Sequence, residues 1–256
     1  HCVPDEKCIQ NMLIINKFKI DKTKQKLDMY YTIRTQMAHI FDFSNPNLPG
    51  MKELMDMLYF IPLPKLTTDM SRVFFFKIRN KDAFSDSDPY NGIRHLVNLQ
   101  ELRLHEDVAF GDIFVIDFAN ITMKFCLKVT PMKLFYMLKI HERFFSSRLR
   151  GSYILNAAPF VKRLFAIMKM FMKPKLFSRI KFCKDVSCLH ELLPQDVIPK
   201  DYGGQGRSLH ESHEVLMEKF VEYRERFDRL DQLRVDETLR PVQTQNRKIF
   251  GVSVGF

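Results

Sequence analysis

Tryptophan is absent, and only 9 glycines and 12 prolines interrupt the 256 residues. So few breakers exclude a collagen-like or low-complexity chain. Uncharged apolar runs are short. The nearest approach to a span, residues 153–172, carries Lys162, Arg163 and Lys169 and contains Pro159. A membrane-spanning helix needs about 18 such residues or more, so none is expected. Cysteine is sparse: Cys2, Cys8, Cys126, Cys183 and Cys188 form an odd, scattered set. That pattern points to reduced thiols in a cytosolic chain rather than a disulfide frame. The chain opens at His1 with neither a charged-then-apolar leader nor an initiator methionine. No signal peptide is expected, and the natural start is expected upstream or removed by processing.

Catalytic signatures are missing as well. His141, His190 and His210 each precede a glutamate, but none has a second histidine four residues on, so no zinc-protease helix is expected. Cys183, Cys188 and His190 lack a second ligand pair at zinc spacing, so no metal site is expected. Gly203, Gly204 and Gly206 do not follow a strand, and no glycine-rich loop follows residues 112–118. Dinucleotide and P-loop fingerprints are therefore absent, as is a nucleophile elbow. Asp117 closes an apolar run with no partner placed beside it and reads as structural. The expectation is no catalytic residue and no cofactor.

The most informative absence concerns charge of one sign. Residues 143–184 hold no Asp or Glu, in a chain with 30 acids and a net charge of +10. The same span holds Arg143, Arg148, Arg150, Lys162, Arg163, Lys169, Lys173, Lys175, Arg179, Lys181 and Lys184. Within it, Phe160, Val161, Leu164, Phe165, Ile167, Met168, Phe171 and Met172 are apolar. They cover more than the stripe of about 100° that a helix resting on a core requires. An apolar face fringed by Lys and Arg suits an anionic membrane surface. Nucleic acid is the weaker reading, because no recognition motif accompanies the charges.

What is present is a foldable chain, 46% hydrophobic and 27% charged, with 24 Phe and 14 Met. It is long enough for one large domain or two small ones. Residues 5–60 read as helical, broken at Pro46, Pro49 and Gly50, with a short helix over 51–59 and a close at Pro62 and Pro64. Residues 72–79, 112–118, 151–156 and 179–183 read as strands. Residues 91–106, 130–149, 159–172 and 186–193 read as helices, and 80–89 as a polar loop. Ser208 with Glu211 forms a capping box. It opens one amphipathic helix through Leu209, Leu216, Phe220, Phe227 and Leu230, after which the pattern fades from Arg234. Alternating strands and helices predict an α/β fold with parallel pairs.

Residues 192–209, LLPQDVIPKDYGGQGRSL, then stand out. Pro194 and Pro199 force extended neighbours, and Gly203 and Gly204 allow angles that other residues avoid. The stretch reads as a rigid connector that sends the last helix over the outside of the sheet. It resembles the end of the lipid-binding core in the CRAL-TRIO family. Within that family it looks like the alpha-tocopherol transfer, cellular retinaldehyde-binding and insect members. DIFVIDFANIT at 112–122, KVTP at 128–131, the run from Arg148 to Phe182, and KFKIDKTKQKLDMYYTIR at 17–34 resemble further family segments. The resemblance implies an N-terminal helical bundle over 1–61, an α/β/α lipid-binding domain over 62–207, and a C-terminal helix and tail over 208–256. The sheet is expected to be mixed and mostly parallel, with a hydrophobic pocket under a gate helix near Pro159.

By the same resemblance, Asn98, Ile116, Phe125, Val129, Met137, Ile140, Ile154, Leu164, Phe165 and Met168 are expected near a ligand. A buried Asn98 amide would then bond a ligand hydroxyl or a trapped water. Phe160, Val161 and Phe171 belong to the gate, and Arg150, Lys175 and Arg179 fall where the family contacts a phosphoinositide headgroup. Two departures stand out. The family's arginines before a Phe-Asp are replaced by Leu13-Ile14-Ile15-Asn16-Lys17-Phe18-Lys19, and its Asn-Glu-Pro by Asn156-Ala157-Ala158-Pro159. The implied function is that of a monomeric, non-enzymatic cytoplasmic carrier. It would hold a tocopherol, retinoid, carotenoid or similar lipid and exchange it transiently at anionic membranes, without binding nucleic acid. The residues leave two alternatives open: an interaction protein whose pocket is filled by its own Phe and Met, and an enzyme on an apolar substrate.

Overall fold

Runs too short to bury themselves as helices pair into one sheet, and the amphipathic stretches cover it. The computed structural model describes residues 5–133, 135, 136, 140 and 148–239. Four helices open the chain: α1 (Glu6–Ile15), α2 (Ile20–Gln36), α3 (Ala38–Phe41) and α4 (Pro49–Met57). Asp5 caps α1 by accepting the Cys8 amide, which satisfies one of the free donors of the first turn.

Five strands follow in spatial order: β1 (Leu58–Leu66), β2 (Ser71–Ile78), β3 (Gly111–Asp117), β4 (Leu149–Leu155) and β5 (Ile180–Phe182). β1 is antiparallel to β2, and the other pairs are parallel. The mostly parallel mixed sheet agrees with the expectation, but β1 does not. Residues 58 and 59 read as the end of a helix, and Pro62 and Pro64 as breakers. β1 lies at the sheet edge, where a missing amide proton breaks no ladder bond. Its register slips between Pro62 and Leu66. The strand runs across residues 61 and 62, where the sequence sets a domain division.

Helices fill the gaps. α5 (Lys81–Asp86) occupies what reads as a polar loop, and Asn80 caps it by accepting the Ala83 amide. α6 (Tyr90–Glu106) lies as expected. α7 (Met123–Lys128), capped by Thr122, is a further addition. Of the helix expected over 130–149, residues 131–133, 135, 136 and 140 are helical, Thr130 and Arg148 are not, Leu149 already belongs to β4, and the rest lie outside the described residues. α8 (Pro159–Lys169), α9 (Pro174–Phe177) and α10 (Ser187–Leu192) flank β5. The capping box of Ser208 and Glu211 opens α11 (Leu209–Glu222). The expected single terminal helix then breaks at Tyr223, and α12 (Arg224–Asp231) continues in a new direction.

Side chains alternate across a strand, so the sheet has two faces. On one, Val73, Phe75, Ile113, Val115 and Leu155 pack under Leu189, Val197, Ile198, Tyr202 and Leu209. The other carries Phe74, Phe76, Phe114, Ile116 and Ile154. There Phe60 reaches Phe74, Phe76 and Phe114 at ring distances of 6.5, 5.7 and 6.4 Å.

α6 binds the chain's two ends together. Both oxygens of buried Glu101 accept the Tyr30 hydroxyl from α2, at 2.8 and 2.7 Å. Arg34 Nη2 lies 3.2 Å away, and Arg226 Nη2 of α12 lies 2.6 Å away. Burial opposes the Glu101 charge, but the His105 ring, both arginines and the Tyr30 hydroxyl outweigh it and bring the carboxyl down to about 2. His95, one face of α6 away, is pushed down to about 4 by burial, against the raising effect of the Phe60 carbonyl. Between pH 6.5 and 4 the unfolded chain therefore binds a proton at His95 that the native chain refuses. Between 4.5 and 2 the same holds at Glu101. Each group contributes stability that is lost as pH falls through its window, roughly 3 kcal/mol apiece. Urea unfolding followed from pH 7 to pH 4 is expected to show the His95 share disappear. A flat profile would refute the assignment.

Candidate functional site

The floor of the site is the centre of the sheet. β3 has a strand on each side, yet burial alternates along it. Ile113, Val115 and Asp117 are buried, while Phe114 and Ile116 on the opposite face stay half-buried. Phe76, Phe118, Ile121 and Phe125 around them are half-buried too. One face is buried, and the other carries half-buried apolar and aromatic side chains.

α8 roofs that face. Pro159 starts it at a position where no amide proton is needed, and Asn156 before it takes a left-handed backbone, φ 52°. Asn156 Nδ2 donates to Asp117 Oδ1 at 2.7 Å, the Tyr202 hydroxyl donates to Asp117 Oδ2 at 2.6 Å, and the Ala119 amide also donates to Oδ1. Asp117, which the sequence left without a partner, thus fixes the turn into α8 to the Pro-Lys-Asp-Tyr-Gly-Gly connector. Burial and the Asp117 carboxylate push the Tyr202 hydroxyl strongly up, so it stays a donor. The sequence signal for this joint was an asparagine, a residue that tolerates left-handed geometry.

α8 turns Val161 and Phe165 inward. Phe165 lies 6.2 Å from the Phe118 ring and 5.3 Å from the Phe182 ring. Phe160, Leu164 and Met168 are half-buried. Ile167 and Met170 face outward, Met170 at 78% exposure, among exposed Lys162, Arg163 and Lys169.

Ile116, Ile154, Phe160, Val161, Phe165 and Met168 form one apolar cluster, joined by Ile121. Phe125 sits in the adjoining cluster, its ring 4.4 Å from Phe84, and Ile121 belongs to both. Val129 caps α7 and is half-buried. Phe171, beyond the end of α8, lies 5.8 Å from the Phe135 ring. Ile140 is fully buried among Ile93, Leu96 and Val97 of α6. Met137 lies outside the described residues. Asn98 has a different setting from the one expected: its amide donates to the Ser44 carbonyl at 2.6 Å, in the seam between α6 and the N-terminal helices. The protein itself supplies the partner that a ligand or water was to supply. A cleft of about 200 Å³ exists elsewhere, between Leu63 of β1, Leu102 of α6 and Val215 of α11, and no expected ligand residue lines it.

The basic residues gather at one edge. β4 and β5 are parallel, with Ser152 paired to Ile180, so α8 must carry the chain back to the edge where both strands begin. Arg150 and Arg179 therefore sit side by side there. Arg150 Nε lies 3.8 Å from Asp69, and Arg179 donates to the Leu149 carbonyl. Lys175 is exposed on α9.

One expectation is overturned. Cys183 and Cys188 form a disulfide, Cα atoms 5.7 Å apart, tying the end of β5 to α10. They stand five positions apart in the chain, across the turn between β5 and α10. Cys8 and Cys126 are free. Burial, with Glu101 and Asp5 nearby, pushes the Cys8 thiol up to about 12, so it stays protonated.

A mostly parallel sheet, covered on one face by the C-terminal segments and on the other by a helix packed over an apolar cluster, defines an α/β protein. The chain belongs to the CRAL/TRIO family: the CRAL/TRIO domain matches residues 56–204. A Pinta-like UBA domain matches residues 3–51. An alpha-tocopherol transfer protein-like protein of Mus musculus is 25% identical over 209 residues, 80% of this chain and 60% of that protein. Clavesin-2 of Homo sapiens is 23% identical over 204 residues, 78% of this chain and 62% of its own. The solved structure of Sfh5 superposes with a TM-score of 0.56 at 14% identity, covering 81% of this chain and 76% of that one. The chain thus spans about 60% of the length of the first of these relatives.

Proposed function

We propose that this chain is a non-enzymatic carrier. It holds one small apolar lipid, of tocopherol, retinoid or carotenoid type, between the sheet and α8 and exchanges it at anionic membranes. The observation that carries this reading is the contrast along β3: Ile116 stays half-buried in the cluster it shares with α8, while Ile113 and Val115 on the opposite face are buried. The name of the Mus musculus relative supports the substrate class. A ligand burying about 300 Å² of apolar surface there would gain on the order of 7 kcal/mol before ordering costs. The polar groups at the end of the floor are engaged with one another through Asp117, which favours a carrier over an enzyme.

The acid-free span supports the membrane step. Each basic residue near an anionic surface contributes about 1 kcal/mol. Release would follow when α8, with Ile167 and Met170 outermost, meets lipid and swings about the Asn156 turn. The carrier would work as a monomer in the cytoplasm, touching membranes only during exchange.

Two measurements test this. Native mass spectrometry of the purified chain is expected to show one bound apolar molecule, and an empty, ligand-refusing protein would overturn the carrier reading. Transfer of a fluorescent apolar lipid to vesicles of phosphatidylcholine with 30% phosphatidylserine (about 30%) is expected to fall at least about tenfold in the triple variant Arg150→Glu, Lys175→Glu, Arg179→Glu. Circular dichroism would confirm that the variant stays folded. Undiminished transfer would overturn the membrane step.

A further inference from the structure

A second apolar surface lies away from the outer face of α8, at the edge of the sheet where the parallel strands begin. It is made of loop tips. The β1–β2 turn presents Met70, and the loop before β3 presents Val108 and Phe110, the latter 48% exposed. The Phe110 amide donates to the Met70 carbonyl at 2.8 Å, so these two loops are bonded together. The turn between α1 and α2 presents Phe18, 70% exposed, and Ile20. That turn reaches the same edge, because Ile14 and Ile15 at the end of α1 share a cleft with Val108 and Ala109.

The α1–α2 turn holds its ring outward at a cost. Lys17 and Phe18 both take left-handed backbone, φ 58° and 57°, which bulky residues rarely adopt. The Lys17 and Phe18 amides are fixed to the Ile14 and Leu13 carbonyls at 3.0 and 2.8 Å. Such geometry persists only where the surroundings over-determine it.

The charge around these tips is mostly basic. Lys17 and Lys19 flank Phe18, and Arg150 lies beside the Met70 turn through Asp69. Lys173 and Lys175 follow along the edge towards β5. Of the nearby carboxylates, Asp69, Glu106 and Asp107 are ion-paired, to Arg150, to Lys219 and to Arg72 and Arg103, while Asp21 beside Ile20 is exposed among Lys19, Lys22 and Lys24.

We infer that Phe18, Ile20, Met70, Val108 and Phe110 are membrane-inserting tips, which dip into an anionic bilayer while the lysines and arginines beside them hold its headgroups. The inference rests on the membrane-exchange reading above and names a second contact for it. Separate tips on three loops, with Lys17 and Lys19 beside one and Arg150 beside another, fit a fluid interface of headgroups and acyl chains. A protein partner would instead want one continuous, well-packed apolar core.

The lack of native tryptophan makes the test direct. Phe110→Trp places a sole indole on the surface, and Phe43→Trp places one at the opposite end of α6, where Arg94 lies over the Phe43 ring at 5.6 Å. α6 separates the two by roughly 25 Å. With vesicles of phosphatidylcholine and about 30% phosphatidylserine, the indole at 110 is expected to shift to the blue and be quenched by brominated lipid, and that at 43 to do neither. The triple variant Phe18→Asn, Met70→Ser, Phe110→Ser is expected to bind these vesicles at least about tenfold more weakly in flotation, with its thermal melt retained. Asparagine suits the left-handed turn, so that variant tests the ring and not the backbone. If the wild-type chain floats with the vesicles while the indole at 110 stays in water, or the triple variant floats as well as the wild type, the inserting tips are refuted and the membrane reading survives. If the wild-type chain does not float at all, both fall.

Discussion

Glu101→Ala is expected to cost about 3–5 kcal/mol of unfolding free energy, the range found when one partner of a buried ion pair is removed. The variant leaves Arg34 and Arg226 buried without their shared anion and the Tyr30 hydroxyl without its acceptor. For a chain of this size that corresponds to a fall in melting temperature of about 10 °C. Urea titration should show the midpoint falling with little change in slope. Glu101→Gln keeps an acceptor for Tyr30 and should fall between the two. A loss below about 1 kcal/mol would mean that packing, and not this carboxylate, holds the N-terminal helices and α12 to α6.

Gly204→Ala is expected to be nearly as damaging, about 3 kcal/mol or loss of soluble protein. A Cβ at Gly204 would overlap the Ile198 carbonyl oxygen and sit 2.5 Å from Ile198 Cβ and 2.6 Å from its carbonyl carbon. Those atoms cannot retreat, because Ile198 is fully buried and its carbonyl accepts the Gly206 amide at 2.8 Å. Gly203→Ala meets nothing closer than the His190 ring at 3.5 Å, but must adopt φ 76°, and should cost about 1–2 kcal/mol. Equal losses at the two positions would refute this division of labour. The sequence reading assigned both glycines to unusual backbone angles; only Gly203 has one, and Gly204 is required for closeness.

That contrast shows where the sequence was legible. β2, β3, β4 and α6 were found by their own apolar pattern, since each is buried along most of its length. β1 was missed because its prolines are tolerated only at an edge, and edge position is a property of the whole sheet. The acid-free span was legible because charge composition needs no geometry, whereas the placing of Arg150 beside Arg179 at one edge follows from the parallel pairing of β4 and β5. Asn98 was placed at the ligand by resemblance, and its bond to Ser44 depends on a loop 54 residues away. The Cys183–Cys188 bond and the Asp117–Asn156–Tyr202 joint likewise join residues whose approach is set by tertiary packing.

The margins of the sheet have a consequence for a protein with so much oily interior. An unpaired strand invites another chain to zip onto it. Here one margin is β1, where Pro62 and Pro64 deprive any incoming backbone of donors. The other is β5, only three residues long and carrying exposed Lys181. Neither margin offers a long, donor-rich template, so stacking of one copy's sheet onto another's is disfavoured.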